Sequence, residues 1–500
     1  MTCELDPRSL RGRRHLLPRY AMTCLASVVL VTSCSGSSSG NVVTPPTPPA
    51  DTRVKVSTIA ALQAAIIAAP SGTVLALSNG TYANATLNIS TSGISVVAES
   101  PGGVTLTGRS SVHIIGDRTT FSGFQFRNGD IGTGELIVVD GNTNTITECN
   151  IVGIIASKYV HFNGGFHDNA LTYCNIEGKP GTMNAGPAVH ISTSSTIVNH
   201  TTVRQCTFLN ALGAGGDFGN EPIRIGLGAE QNNVSAAVIE ENYFENTGLG
   251  DSETISVKSK GNVLRHNTQY NNPLGSFVFR TGSNNTAYGN FFINSGGVRV
   301  KEGQNHMIYN NYFEGTAANS SLELTNQSVN PLGTIYVVHN TFYNPGAILL
   351  GGSGANPPQN VVLANNIFFK TGGTILSDLN ANATYVSNLF FGGAALGRSF
   401  VSAEFTNANP LLTTTVGGIY GPSAGSPALR SASAAYPALV DNPDVMVDAT
   451  MLQDIEGKSR PVDRTQKALG SVQYNSDAVL YRPLSRRTSG PSYLRALAGG

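Results

Sequence analysis

Five hundred residues with 56 glycines, no tryptophan and only 12% charged side chains argue against long solvent-facing helices and suit many short strands joined by turns. The formal charge is +0 at pH 7. Loss of residues 1–33 removes Arg8, Arg11, Arg13, Arg14 and Arg19 against only Glu4 and Asp6. The slightly acidic remainder has no bulk basic field, which disfavours nucleic acid as a partner and requires a local cluster for any anionic substrate.

The first 34 residues read as a targeting segment. Arginines extend to Arg19, an apolar run AMTCLASVVLV follows, and VTSC closes the segment at Cys34. VTSC resembles a bacterial lipobox, which implies export with Cys34 as the lipidated first residue, on the outer membrane or in the periplasm. A plain secretory signal is the alternative. Residues 35–53, with SGSSSG and TPPTPPAD, form a flexible and then stiffer tether. No later apolar run reaches the ~18 residues of a membrane span, so membrane contact is expected only through the anchor. Nothing marks a dimerisation helix.

The stretch VSTIAALQAAIIAAPSGTVLALSNGTY predicts a helix started by Ser57 and stopped before Pro70, then a strand. Its Ala, Leu and Ile face suits a cap over the open end of a repeat array.

A repeat follows. The segments ECNI, YCNI, QCTF, ENYF, HNTQ, GNFF, NNYF, HNTF, NNIF and SNLF place Cys149, Cys174, Cys206, Asn242, Asn267, Asn290, Asn311, Asn340, Asn366 and Asn388 at one recurring position. Periods of a few tens of residues, one short strand after another with Asn and Gly between, mark a solenoid. The expected fold is all-β, a right-handed parallel β-helix over residues 54–410 with an N-terminal capping helix. Asparagines would stack along it as ladders. Leucine-rich repeats need a Leu pattern that is missing, and propeller blades need hairpin spacing. The three cysteines beyond Cys34, an odd number, cannot form a closed disulfide framework. Stacked core thiols are expected, with one bridge left open. Beyond residue 410 the pattern dissolves, and residues 411–500 are expected to form a loosely packed covering layer.

A second ladder carries the chemistry. Val160-His161-Phe162, Val189-His190-Ile191, Ile223-Arg224-Ile225, Ile255-Ser256-Val257, Phe277-Val278-Phe279, Val298-Arg299-Val300 and Leu322-Glu323-Leu324 can be set in register. Apolar flanks then point inward and middle residues outward. Beside that column run Gly226, Lys258, Arg280 and Lys301. Cations and histidines with no acid before Glu323 suggest a groove for a polyanion. His161, His190, Lys179, Arg224, Arg299 and Lys301 are the candidates to bind it, unless the two histidines form only a structural stack.

Glu221 falls in step with Glu253, with Asn220 and Asp251 close by. Strict alternation would bury both acids of the Asp251–Glu253 pair, so a bend near Thr254 is expected. Several hard oxygen donors at such a bend suit Ca²⁺; acids paired only with Arg224 or Lys258 are the alternative. Lys258, beside a divalent ion and Arg280, is expected to have a lowered pKa and to serve as a general base. Arg280 keeps its proton and is placed to stabilise charge or to meet a leaving oxygen. These parts suit β-elimination on a uronic-acid polymer, in which a cation neutralises the sugar carboxylate while Lys258 takes the C5 proton.

The capping stretch LQAAIIAAPSGTVLALSNGTY, the segment GNEPIRIG and the acid-x-acid-x4-Lys followed by Arg in FRTGSNNTAYGNFF resemble polysaccharide lyase family 6 over residues 54–400. That family comprises alginate lyases and dermatan-acting chondroitinase B. The resemblance implies Ca²⁺ ligands at Asn220, Asp251 and Glu253, a base at Lys258 and an arginine at Arg280. The family's first acid is Glu where this chain has Asp251, a shorter arm for which Glu221 could compensate. Alginate is the expected substrate, by analogy of setting, with dermatan sulfate as the alternative within the family. A non-catalytic glycan-binding or adhesin solenoid is the alternative from another class. A glycoside hydrolase needs acids flanking the bond that the sequence does not supply.

Overall fold

The structure is a computed structural model that describes residues 51–497 except 182–185, 214–218, 316, 326–331, 353–355, 397–403, 441–444 and 446. The expected signal segment, residues 1–34, lies outside the described residues.

Each turn of chain lays down three short strands. One turn consists of Val238–Glu240, Tyr243–Glu245 and Glu253–Val257; the next consists of Val263–Arg265, Thr268–Tyr270 and Ser276–Phe279. Each strand pairs in parallel with its counterparts one turn before and one turn after, giving sheets of 14, 13 and 14 strands among the described residues. The fold is therefore the parallel β-solenoid that the repeat predicts.

Alternation decides what lies inside. Ile223, Ile225, Ile255, Val257, Phe277 and Phe279 have no solvent exposure, and Phe292, Phe313, Phe342 and Phe368 stack at centroid distances of 4.8, 4.5 and 5.0 Å. Those distances match the ~4.8 Å between neighbouring strands, so like side chains meet at van der Waals contact on every turn. The Asn ladder forms at one corner. The backbone N–H of Asn267 donates to Asn290 Oδ1 at 3.0 Å, that of Asn290 to Asn311 Oδ1 at 3.0 Å, and that of Asn311 to Asn340 Oδ1 at 2.9 Å. The residue before each ladder Asn takes the left-handed conformation that turns the chain, as at His266 (φ 54), Asn310 (φ 57) and Asn365 (φ 57). The amides then satisfy backbone groups that the corner would leave buried and unpaired. Cys149, Cys174 and Cys206 continue the column as buried free thiols. A second ladder at another corner, Asn262 to Asn285, was not legible in the repeat; its amide is accepted at 3.0 Å.

The helix Ile59–Ala68 closes one end and buries Leu62 and Ile66. Its N-cap is Thr58, whose hydroxyl accepts from the Ala61 N–H at 3.1 Å, not Ser57 as the sequence suggested. The tail beyond residue 410 also departs from expectation. It packs closely, with Ile419 and Ile455 fully buried and Arg460 spanning to Ala468 O, Gly470 O and Asn310 Oδ1. It then runs back along the solenoid. Leu484 N–H donates to Thr268 Oγ1, Arg486 pairs with Glu245, and Ser492 N–H reaches Glu148. The 13-stranded sheet carries the candidate site.

Candidate active site

On that sheet the predicted triplets sit in the predicted register. Val160 pairs with Val189, His190 with Arg224, Arg224 with Ser256, Ser256 with Val278, Val278 with Arg299, and Arg299 with Glu323. The neighbouring column is equally regular. The N–H of Gly226 donates to Ile191 O at 2.8 Å, that of Lys258 to Ile225 O at 2.8 Å, that of Arg280 to Val257 O at 2.8 Å, and that of Lys301 to Phe279 O at 2.9 Å. Lys258, Arg280 and Lys301 therefore occupy equivalent positions on successive rungs.

These three cations are held differently. Lys301 Nζ lies 3.3 Å from Glu253 Oε1, and Arg280 Nη1 lies 3.7 Å from the same oxygen. Lys258 is half-buried, and among the described residues its Nζ has no hydrogen-bond or ion-pair partner. The other cations of the face are already matched. Arg224 Nε donates to Glu221 Oε1 at 2.9 Å, and Arg299 Nε to Glu323 Oε1 at 3.0 Å.

The expected bend is present: the ladder slips between Glu253 and Ile255. It does not bring the acids to the surface, because Asp251 is 0% and Glu253 3% exposed. Each is satisfied where it lies. Asp251 Oδ2 accepts from Gly219 N–H at 2.7 Å and Oδ1 from Glu253 N–H at 2.8 Å. Burial, then the nearby Glu221, pushes the Asp251 carboxyl up to about 7 against the pull of those N–H groups. Burial acts in the same direction on Glu253, but Lys301, the Ser256 hydroxyl, Arg280 and Lys258 together hold it below the usual carboxylate range.

The four oxygen-bearing residues expected to ligate Ca²⁺ do not fit that ion as arranged. Ca²⁺ takes six to eight oxygens at about 2.3–2.6 Å. Here Lys179 Nζ donates to Asn220 Oδ1 at 2.9 Å, Glu221 serves Arg224, Glu253 serves Lys301 and Ser256, and Asp251 is tied to backbone N–H groups. Among the described residues no three His, Cys, Asp or Glu side chains are grouped to hold a metal ion. The shorter arm of Asp251 explains part of this, since it folds back onto the N–H two residues ahead as Asp side chains do in turns.

Two groove candidates are withdrawn from solvent. Lys179 is 2% exposed, with Nζ 5.9 Å from the Tyr159 ring centroid. His190 is 4% exposed and stacks on His161 at 5.0 Å; burial, then the positive neighbours, drives its pKa down to about 2. His161 stays at the outer face, with Nδ1 2.7 Å from Glu135 Oε2 and Nε2 2.8 Å from Ser192 Oγ. Glu135 and its partner Lys158 escaped the sequence reading. Their signal was the preceding alternating segment ELIVV, whose Glu135 pairs in register with Lys158.

A sequence profile of the chondroitinase B family matches residues 56–365. Among solved structures, the alginate lyase AlyGC of polysaccharide lyase family 6 is similar at 25% identity and TM-score 0.67, over 75% of this chain and 55% of AlyGC. The family 6 lyase Pedsa3628 from Pseudopedobacter saltans shares the fold at 23% identity and TM-score 0.54, over 68% of this chain and 92% of that one. A family 6 alginate lyase in complex with a trisaccharide does so at 16% identity and TM-score 0.59, over 75% and 92%. The chain thus spans about half the length of AlyGC. Comparison with curated proteins gives no significant match.

Proposed function

The chain belongs to the chondroitinase B family, polysaccharide lyase family 6, and from that premise we propose that it cleaves a uronic-acid polymer, alginate first, by β-elimination. The observation that carries this reading is the column itself. Lys258, with no hydrogen-bond or ion-pair partner among the described residues, stands one rung from Arg280 and two from Lys301, both anchored on the buried Glu253.

In this reading Arg280 and Lys301 face the sugar carboxylate and stabilise the charge that develops when C5 loses its proton. The lone pair of Lys258 Nζ accepts that proton, and the electron pair of the C–H bond becomes the C4–C5 double bond. The bond from C4 to the glycosidic oxygen breaks with its electrons, and the leaving oxygen takes a proton from solvent while Arg280 stabilises its charge. No water is consumed in the cleavage. Arg224 and Arg299 flank the reacting sugar on the same face and bind its neighbours. Export through the N-terminal 34 residues would place the enzyme where such polymers occur.

Incubation of the purified chain with alginate, dermatan sulfate and pectate tests this. The expected result is rising ultraviolet absorbance from an unsaturated uronate on alginate. Because the matching profile is that of chondroitinase B, product from dermatan sulfate alone would move the substrate assignment within the family. Binding without absorbance change on every polymer would favour a non-catalytic glycan-binding solenoid.

A further inference from the structure

The residue at the centre of the acid corner is a lysine. Lys179 follows Gly178, whose left-handed φ of 62° turns the chain at the end of the strand Asn175–Glu177. That turn sends the side chain inward, and the ammonium ends 2.9 Å from Asn220 Oδ1, 41 residues away. The amide of Asn220 is used on its other side as well: Nδ2 donates to Leu212 O at 3.0 Å and to Lys179 O at 3.3 Å. Lys179 and Asn220 thus tie two successive turns together at this corner with no solvent between them, since they are 2% and 1% exposed.

What Asn220 fixes is the entry to the site. Its neighbour Gly219 donates the N–H that holds Asp251 Oδ2, and its other neighbour Glu221 receives Arg224. A buried ammonium without an anionic contact is tolerated only when it is hydrogen-bonded, and Asn220 Oδ1 supplies that bond. With the Lys179 ammonium 2.9 Å from that oxygen, a divalent ion bound to the same atom would set two positive charges against each other in a buried site, where their repulsion is weakly screened.

We propose that Lys179 is the resident cation of this corner: its ammonium takes the Asn220 oxygen that a divalent ion would require, so the site works on side-chain charge and holds no metal. Lys179 is a positioning residue, because it is too deeply buried to touch a polymer. Lys179 sets Asn220, Asn220 sets Gly219 and Glu221, and these set Asp251 and Arg224. The activity part of this proposal rests on the lyase reading above; the metal part does not.

The test therefore has two arms. In the first, the full chain is desalted, its calcium is measured by mass spectrometry, and it is titrated calorimetrically with CaCl₂ and melted in CaCl₂ and in EDTA. The expected result is no stoichiometric calcium, no saturable heat and the same Tm in both buffers. Saturable binding that Asp251→Asn removes would overturn the proposal, whether or not the chain proves to be a lyase. In the second, Lys179→Met is assayed on the polymer that the wild type cleaves. The expected result is a kcat reduced at least tenfold with KM within twofold of wild type. Wild-type kcat, or a loss that falls on KM instead, would contradict the positioning assignment. Should Lys179→Met fail to fold, the first arm, which uses only wild-type protein and Asp251→Asn, decides the matter.

Discussion

Lys301 Nζ lies 3.3 Å from Glu253 Oε1 although 48 residues separate them. The solenoid folds that distance into two rungs, and both side chains are largely shielded from water. Glu253→Ala should therefore destabilise the protein by about 3 kcal/mol, since removing one partner leaves the other charge buried and uncompensated. Urea unfolding measures this. A loss below about 1 kcal/mol would fit an exposed pair instead and would contradict the buried geometry.

The Asn ladder should be costly to interrupt at its middle. Asn290 Oδ1 accepts from the backbone N–H and from the amide of Asn267, while Asn290 Nδ2 donates to Leu264 O and Asn311 Oδ1. Asn290→Ala strands several buried groups at about 1–3 kcal/mol each. A fall in stability of more than about 3 kcal/mol is expected. Asn294→Ala, at an exposed corner site with a left-handed φ of 49°, should cost only about 1 kcal/mol, the strain of alanine in that conformation, and equal losses for the two variants would undercut the ladder as a source of stability.

How much of this was legible follows from where periodicity applies. The register of His161, Arg224, Ser256 and Arg299 could be written from the sequence because period-two alternation and in-register stacking leave one solution. The bend near Thr254 was also legible, because alternation alone would have buried two acids. The direction of Lys179 was not, since it sits at a corner where alternation lapses and the left-handed Gly178 sets its path. The pairing of Glu253 with Lys301 was hidden for a related reason: it skips a rung across the slip at Glu253. The close packing of the described residues beyond 410 left no periodic trace at all, because it rests on contacts such as Arg460 with Asn310, 150 residues apart.

Stability should fall as pH drops below about 6.5, the ordinary histidine value. Burial leads in lowering His190 to about 2, His266 to about 3 and His306 to about 4, and it places His339 well below its usual range. The unfolded chain binds protons on these imidazoles through the window below 6.5, whereas the folded chain binds them only much lower, so the stability present at pH 8 drains away on the way to pH 5. Asp251 and Asp454, raised to about 7 and about 6 chiefly by burial, gain on the same descent, but four imidazoles outweigh two carboxyls. Tm measured from pH 8 to pH 5 should decline. A constant or rising Tm would mean that these rings are not buried in neutral form.

The measurement that bears most directly on the account is the rate of unsaturated-uronate formation from alginate by the wild type and by Lys258→Ala, with circular dichroism to confirm the fold. Lys258 is half-buried and without a partner among the described residues, so its truncation should leave the solenoid intact. The expected result is a wild type that generates the ultraviolet-absorbing product and a folded variant whose kcat falls by at least about three orders of magnitude, in keeping with loss of a general base. A folded Lys258→Ala protein that cleaves the polymer at the wild-type rate would contradict the assignment of this column as the catalytic site.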